Sequence, residues 1–413
     1  MAKLYASRSP EISERELRNF DRARKIAAQG MVLLENDGVL PLKGVRTIAA
    51  YGNGVRHTVK GGIGSGDVNS RTVVNVEQGL TEAGFILTGS PWLDRFDNIC
   101  REAKAVYDAE VQRLREKDRL AGIRMILENP YKDPDVPEIT AEDLSEKADA
   151  ALYVIARNSG EGRDRRPEPG DYELSEGEKK NLEELGAVYD RIIVVLNVGG
   201  VVDTKFLRSC PNVGALLLMS QAGNISGYAL SDVLTGRVTP SGHLAMTWAE
   251  NYADYASAAT FSHMNGDIDD EYYTDGIYVG YRYFDTFGIA PAYPFGYGLS
   301  YTSFNVRTDG VALDKTTITV KASVTNTGAC SGREVVQVYI SGPAEGPERP
   351  YQELKGFAKT KLLSPGDSEQ LVICFDAGEM ACYSEKDAAF VLAPGKYYIR
   401  VGTHSRSTHV AAA

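Results

Sequence analysis

Ile192-Ile193-Val194-Val195-Leu196-Asn197 is apolar through five residues and stops on an amide. A strand exposed on one face would alternate, whereas a run like this reads as a strand buried on both faces. Val213-Gly214-Ala215-Leu216-Leu217-Leu218-Met219 and Ala151-Leu152-Tyr153-Val154-Ile155-Ala156 have the same character, and Thr47-Ile48-Ala49-Ala50-Tyr51 is a fourth strand. Helical segments separate them. Ser175-x-x-Glu178 has capping-box form and opens a helix through Leu185. Further helices are predicted over Asp203–Arg208, Gly223–Leu234 and Val74–Ala83, with a short one at Ala141–Leu144. Residues 91–127 read as one or two charged surface helices, and Phe85-Ile86-Leu87 as a short strand. Doubly buried strands alternating with helices imply a largely parallel sheet covered on both faces, an α/β sandwich over residues 15–255.

Outward from that core the character changes. Residues 1–14 form a polar lead-in, followed by a helix to Gln29 with Ser13 as N-cap and Glu16 reaching back. Met31-Val32-Leu33-Leu34 continues the apolar run beyond it. Residues 256–302 are a connecting segment rich in aromatic residues, such as Tyr272, Tyr273, Tyr281, Phe284 and Tyr293, which either stack on sugar rings or pack one domain on another. From residue 303 to 413, alternating runs such as Thr316–Val324 and Glu334–Ile340, with turns at Asn326-Thr327-Gly328, Pro365-Gly366-Asp367 and Pro394-Gly395-Lys396, predict an immunoglobulin-like β-sandwich.

A length of 413 residues fits about two to three domains. The net charge of -11 argues against a nucleic-acid partner. No run approaches the ~18 apolar residues of a membrane span, and no apolar leader follows Met1. Cys100, Cys210, Cys330, Cys374 and Cys382 are odd in number and scattered, so neither a metal site nor a disulfide framework is expected, and the compartment reads as cytoplasmic.

Two loops carry candidate chemistry. Ser159-Gly160-Glu161-Gly162-Arg163-Asp164-Arg165 leaves the strand 151–156. Ligands of open α/β sheets bind beyond the carboxyl ends of strands. A carboxylate between glycines there can meet a substrate closely, which makes Glu161 a candidate general acid/base. The competing reading is a solvated turn carboxylate. The second loop runs from Gly52-Asn53-Gly54 to Gly61-Gly62-Ile63-Gly64-Ser65-Gly66-Asp67. His57 stands where a dinucleotide fingerprint needs its third glycine, so a nucleotide cofactor is not expected. A flexible loop whose backbone and Ser65 hydroxyl approach a polar ligand fits better, with a plain surface turn as the alternative.

Taken in order, several segments resemble family 3 glycoside hydrolases, the β-glucosidase family: Gly30–Leu42, Gly64–Asn69, Ser159–Arg165, Asp232–Gly242, Ile277–Asp285 and Phe295–Phe304. The resemblance covers nearly all of the chain after its first dozen residues. It implies the family's α/β sandwich, a connecting segment and a fibronectin type III-like domain. It further implies that Glu161 is the general acid/base, that Ser65 approaches the sugar at the cleaved subsite, and that Asp164 and Arg165 shape the loop of Glu161. No cofactor or metal is implied.

The family's nucleophilic Asp and most of its sugar ligands lie on a (β/α)8-type barrel. Such a barrel takes ~250 residues, for which these domains leave no room. Ser231-Asp232-Val233 has a superficial likeness to the nucleophile's signature, but Asp232 falls inside a structural helix and is rejected. Some relatives place the barrel after the fibronectin-like domain, a layout that the Met1 start fits. The expectation is therefore a part of a retaining β-glucosidase acting on terminal β-D-glucosyl residues, inactive without a barrel supplied by another chain or by the rest of the same polypeptide. The other partners expected are a β-glucoside or oligosaccharide substrate and, as an open alternative, a second copy of the chain. The alternative reading is a non-catalytic carbohydrate-binding or scaffold subunit.

Overall fold

The computed structural model describes residues 9–412, except Ser159, residues 161–163 and the side chain of Ser65. After the lead-in, α1 (Glu14–Gly30) begins with the expected capping box. The apolar run beyond it belongs to another element. Residues 32–36 form β1 (Val32–Asn36), antiparallel to a distant strand. The chain then gives β2 (Thr47–Tyr51), α2 (Val76–Glu82), β3 (Ile86–Thr88), α3 (Ser90–Lys117), α4 (Arg119–Glu128) and β4 (Ala150–Arg157). Residues 141–146 are turns rather than the short helix expected. There, Asp143 accepts from the backbone and hydroxyl of Thr140 and from Arg95, and such side-chain bonds offer the backbone an alternative to the helix. The remaining elements are α5 (Glu176–Gly186), β5 (Ile192–Val198), α6 (Lys205–Ser209), β6 (Val213–Leu218) and α7 (Ser226–Leu234).

The six-stranded sheet has the order β1-β6-β5-β4-β2-β3, parallel except for β1 at its edge. Every residue of β4 and β5 is buried, which is what their uninterrupted apolar runs require. The order matters for function. From β2 the chain moves outward to β3, then crosses back to β4 on the other side of β2. The reversal lies between β2 and β4, and ligands of open α/β sheets bind in the crevice beyond such a point.

Just before the connecting segment lies β7 (Trp248–Ala249), which pairs with β8 (Pro291–Tyr293) of that segment; the segment also forms α8 (Tyr281–Thr286). It also covers the outer edge of the sheet. Leu299 N–H donates to Leu33 O at 2.8 Å, Tyr297 Oη to Leu34 O at 3.2 Å, and Tyr293 Oη to Glu35 at 2.6 Å.

The last domain is all β: β9 (Phe304–Asp314), β10 (Thr317–Asn326), β11 (Val335–Ser341), β12 (Glu353–Lys359), β13 (Ser368–Asp376), β14 (Cys382–Ser384), β15 (Ala389–Val391), β16 (Tyr398–Gly402) and β17 (His409–Ala412). Sheets β13-β10-β9 and β12-β11-β16-β17 enclose Ile318, Val320, Val324, Val336, Val338 and Val401. Along β11 these alternate with Gln337 and Tyr339, which are buried as well. Their face meets the connecting segment. Tyr281 stands edge-on to Tyr339 at 5.8 Å, and Gln337 donates to Gly296 O at 3.3 Å. Asp285 pairs with Arg406 at 2.6 Å. Much of the aromatic segment is thus domain packing, although Tyr272 and Tyr273 are exposed. Lys359 on β12 reaches back to Ser241 O at 2.9 Å, and burial pushes its ammonium down to about 8.

Candidate functional site

Both candidate loops start at the reversal point, one from the carboxyl end of β2 and one from that of β4. The first was expected to be flexible, yet its opening half is tied across the carboxyl edge of the sheet. Gly52 turns with φ +95, where a Cβ would lie 2.3 Å from Val154 O. Asn53 then bonds the end of β4 in both directions, donating to Ala156 O at 3.1 Å and accepting from Ala156 N–H at 2.7 Å. Farther along, Asn197 at the end of β5 grips Val59, accepting from its N–H at 2.6 Å and donating to its carbonyl at 3.0 Å. Asn197 also donates to the carbonyl of Ser220, a residue with φ +57 just past β6. Asn197 is fully buried, and a buried amide of that kind is held only by such a complete set of partners. Lys60 O accepts from Gly223 N–H at 2.9 Å.

The loop then reaches a single 3-10 turn, Gly64–Gly66, which carries Ser65. Lys60 closes the turn's far side, donating to Val68 O at 2.6 Å and standing 3.2 Å from Asp67. Gly160 belongs to the second loop, and a Cβ there would lie 2.2 Å from Ile63 Cγ1. The segment flanking Glu161 therefore touches the segment flanking Ser65. Glu161 itself lies outside the described residues.

The base of the second loop is anchored by charge. Arg157, the last residue of β4, meets Glu178 at 2.7 and 2.5 Å through its two terminal nitrogens, with both side chains buried. Its Nε donates to Asp171 O at 3.1 Å. Arg165 pairs with the Asp171 carboxylate at 2.6 Å, which also accepts from Arg166 N–H at 2.9 Å. Arg165 Nε and Nη2 are buried with no partner among the described residues. Asp164 is exposed and borders a cavity of about 490 Å³ also lined by Tyr255, His263, Glu271, Tyr272 and Tyr283. Burial raises the Tyr255 phenol, whose oxygen accepts from Ala249 N–H at 3.1 Å. Asp232 is spent on structure: Arg24 holds both its oxygens, at 2.5 and 2.7 Å.

Sequence reasoning passed over Asn53, Lys60 and Asn197. Only Asn197 carried a signal, as the one polar residue closing a fully apolar run.

Residues 31–301 match the glycosyl hydrolase family 3 C-terminal domain, and residues 334–405 the fibronectin type III-like domain. Beta-glucosidase A of Butyrivibrio fibrisolvens is 34% identical over 93% of this chain and 49% of its own length. An exo-alpha-(1->6)-L-arabinopyranosidase of Bifidobacterium breve is 40% identical, over 54% of this chain and 29% of that protein. Beta-glucosidase 3B of Thermotoga neapolitana, solved in complex with glucose, superposes with a TM-score of 0.79 at 36% identity, over 95% of this chain and 53% of that one. The chain thus spans about half the length of the curated β-glucosidases that it matches. With its doubly wound sheet, its β-sandwich and this ordered match over most of its length, the chain belongs to glycosyl hydrolase family 3, as the C-terminal domain joined to a fibronectin type III-like domain.

Proposed function

We propose that this chain supplies the general acid/base of a retaining β-glucosidase, with Glu161 in that role and a barrel outside these residues supplying the nucleophile. The observation that carries the reading is the contact of the two loops at the reversal point, Gly160 against Ile63. It joins the backbone beside Glu161 to the backbone beside Ser65 on a rigid sheet edge. Retaining hydrolysis needs two carboxyl groups about 5–5.5 Å apart. Protonated Glu161 gives its proton to the departing glycosidic oxygen as the nucleophile bonds to the anomeric carbon. The ionised Glu161 then takes a proton from the water that releases the sugar. Closure against a barrel would exclude solvent and raise the Glu161 pKa, keeping its proton available.

A 2-deoxy-2-fluoroglucoside, which traps the glycosyl-enzyme, tests the division of roles. In the complete enzyme the label should fall outside residues 1–413, and these residues alone should neither react nor hydrolyse glucosides. Label inside them would place the nucleophile here and overturn the reading. A non-catalytic binding module would show no label anywhere and no loss on Glu161→Ala.

Ser65→Ala should weaken sugar binding in the ground or transition state by about 0.5–1.5 kcal/mol, the net value of one neutral hydrogen bond. Tm should barely change. A large fall in Tm with unchanged kinetics would make Ser65 structural.

A further inference from the structure

A second cluster includes a residue of the first loop, His57. A ring nitrogen of His57, Sγ of Cys100 and a carboxylate oxygen of Asp133 all lie within 4.8 Å of one another. They come from three separate segments: the loop after β2, the middle of α3 and the loop after α4. We propose that His57, Cys100 and Asp133 bind one thiophilic divalent metal ion, zinc by chemistry, with water as the fourth ligand.

The ligand types fit. Thiolate with imidazole selects zinc over magnesium or calcium, and zinc takes sulfur, nitrogen and carboxylate oxygen in a tetrahedron at about 2.0–2.3 Å. Ligation would draw the three atoms somewhat closer, with exposed Asp133 exchanging its hydrogen bonds to Cys100 and Tyr131 for the metal. The histidine is also prepared. His57 Nε2 lies 2.8 Å from Asp97 Oδ1. That carboxylate fixes the orientation of the ring, as outer carboxylates do for most metal-binding histidines. Phe96 packs beside the ring at 5.4 Å.

The charge balance favours a cation. Arg56 precedes His57 in the chain, and Glu77, Asp94 and Asp97 already hold it, at 2.9, 2.6 and 2.8 Å. Asp133 adds a further carboxylate, so the neighbourhood is net negative. Lys104, over the Tyr131 ring, is paired with Asp108. Burial, with Asp133 and Asp97 nearby, pushes the Cys100 thiol up to about 12, so the metal must displace that proton. Folding, not local sequence, assembles this cluster, so no spacing motif marks it. A metal here would clamp the start of the loop bearing Ser65 to α3.

The test is titration of the chelator-treated chain with cobalt(II), followed by zinc(II). One equivalent of cobalt should give a near-ultraviolet thiolate charge-transfer band that zinc removes. Affinity should rise about tenfold per pH unit, because one thiol proton leaves on binding. Cys100→Ser should abolish the band, Cys382→Ser should keep it, and Asp97→Asn should weaken binding by about 10–100-fold. No band in the folded protein, or a band that survives Cys100→Ser, overturns the proposal. Should Cys100→Ser fail to fold, Asp133→Asn at its exposed position decides: unchanged affinity overturns the site, and a loss supports it.

Discussion

Replacing Glu161 with alanine in the complete enzyme is expected to slow turnover of glucosides with poor leaving groups by about 10²–10⁴-fold, the range for general acid/base catalysis. The loss should depend on the leaving group. An alkoxide of high basicity departs only as its oxygen is protonated, so the missing proton falls fully on the glycosylation step. An activated aryl leaving group needs little protonation, and its glycosylation should slow much less. Azide should then restore part of the turnover, because it attacks the glycosyl-enzyme without a base to deprotonate it. Equal losses for all leaving groups, with no gain from azide, would remove Glu161 from the role.

The second large effect is on stability. Glu178→Ala should destabilise the protein by about 3–5 kcal/mol, the usual result of removing one partner from a buried ion pair. Arg157 would keep its bonds to Ala156 O and Asp171 O, but its charge would have no counter-ion. The capping box of α5 would open as well, since Glu178 accepts from Ser175 N–H at 2.9 Å. Replacing both partners with apolar residues of similar volume should recover much of the loss, because no unpaired charge then stays buried. Equilibrium denaturation of the three variants is the measurement. A Glu178→Ala change under about 1 kcal/mol, the level of an exposed pair, would show that the pair is solvated in solution.

The sequence disclosed the parallel strands because burial on both faces removes alternation, so β4 and β5 could be read residue by residue. It disclosed helix starts wherever Ser-x-x-Glu closes a local ring of hydrogen bonds, as at Ser13 and Ser175. It left Met31–Leu34 without an element, since a short apolar run serves a helix end or an edge strand equally. Only the remote partner, Leu216 to Leu218 across the sheet, decides between them. The glycine-flanked carboxylate was legible as chemistry because its neighbours are unusual. Its supports were not. Asn53 and Asn197 act through carbonyls and amides far away in the chain, and no local pattern announces such a bond.

The segment covering β1 has a bearing on how this protein can be divided. An edge strand leaves a row of backbone donors and acceptors open to pairing with another chain. Here Leu299 and Tyr297 occupy acceptors of that row, although both come after the point near residue 255 where composition alone would cut the chain. The seam in sequence is therefore not a seam in cohesion. A fragment that keeps the whole sheet but stops at 255 would carry a bare adhesive margin. One that runs through 301 keeps its own selvedge.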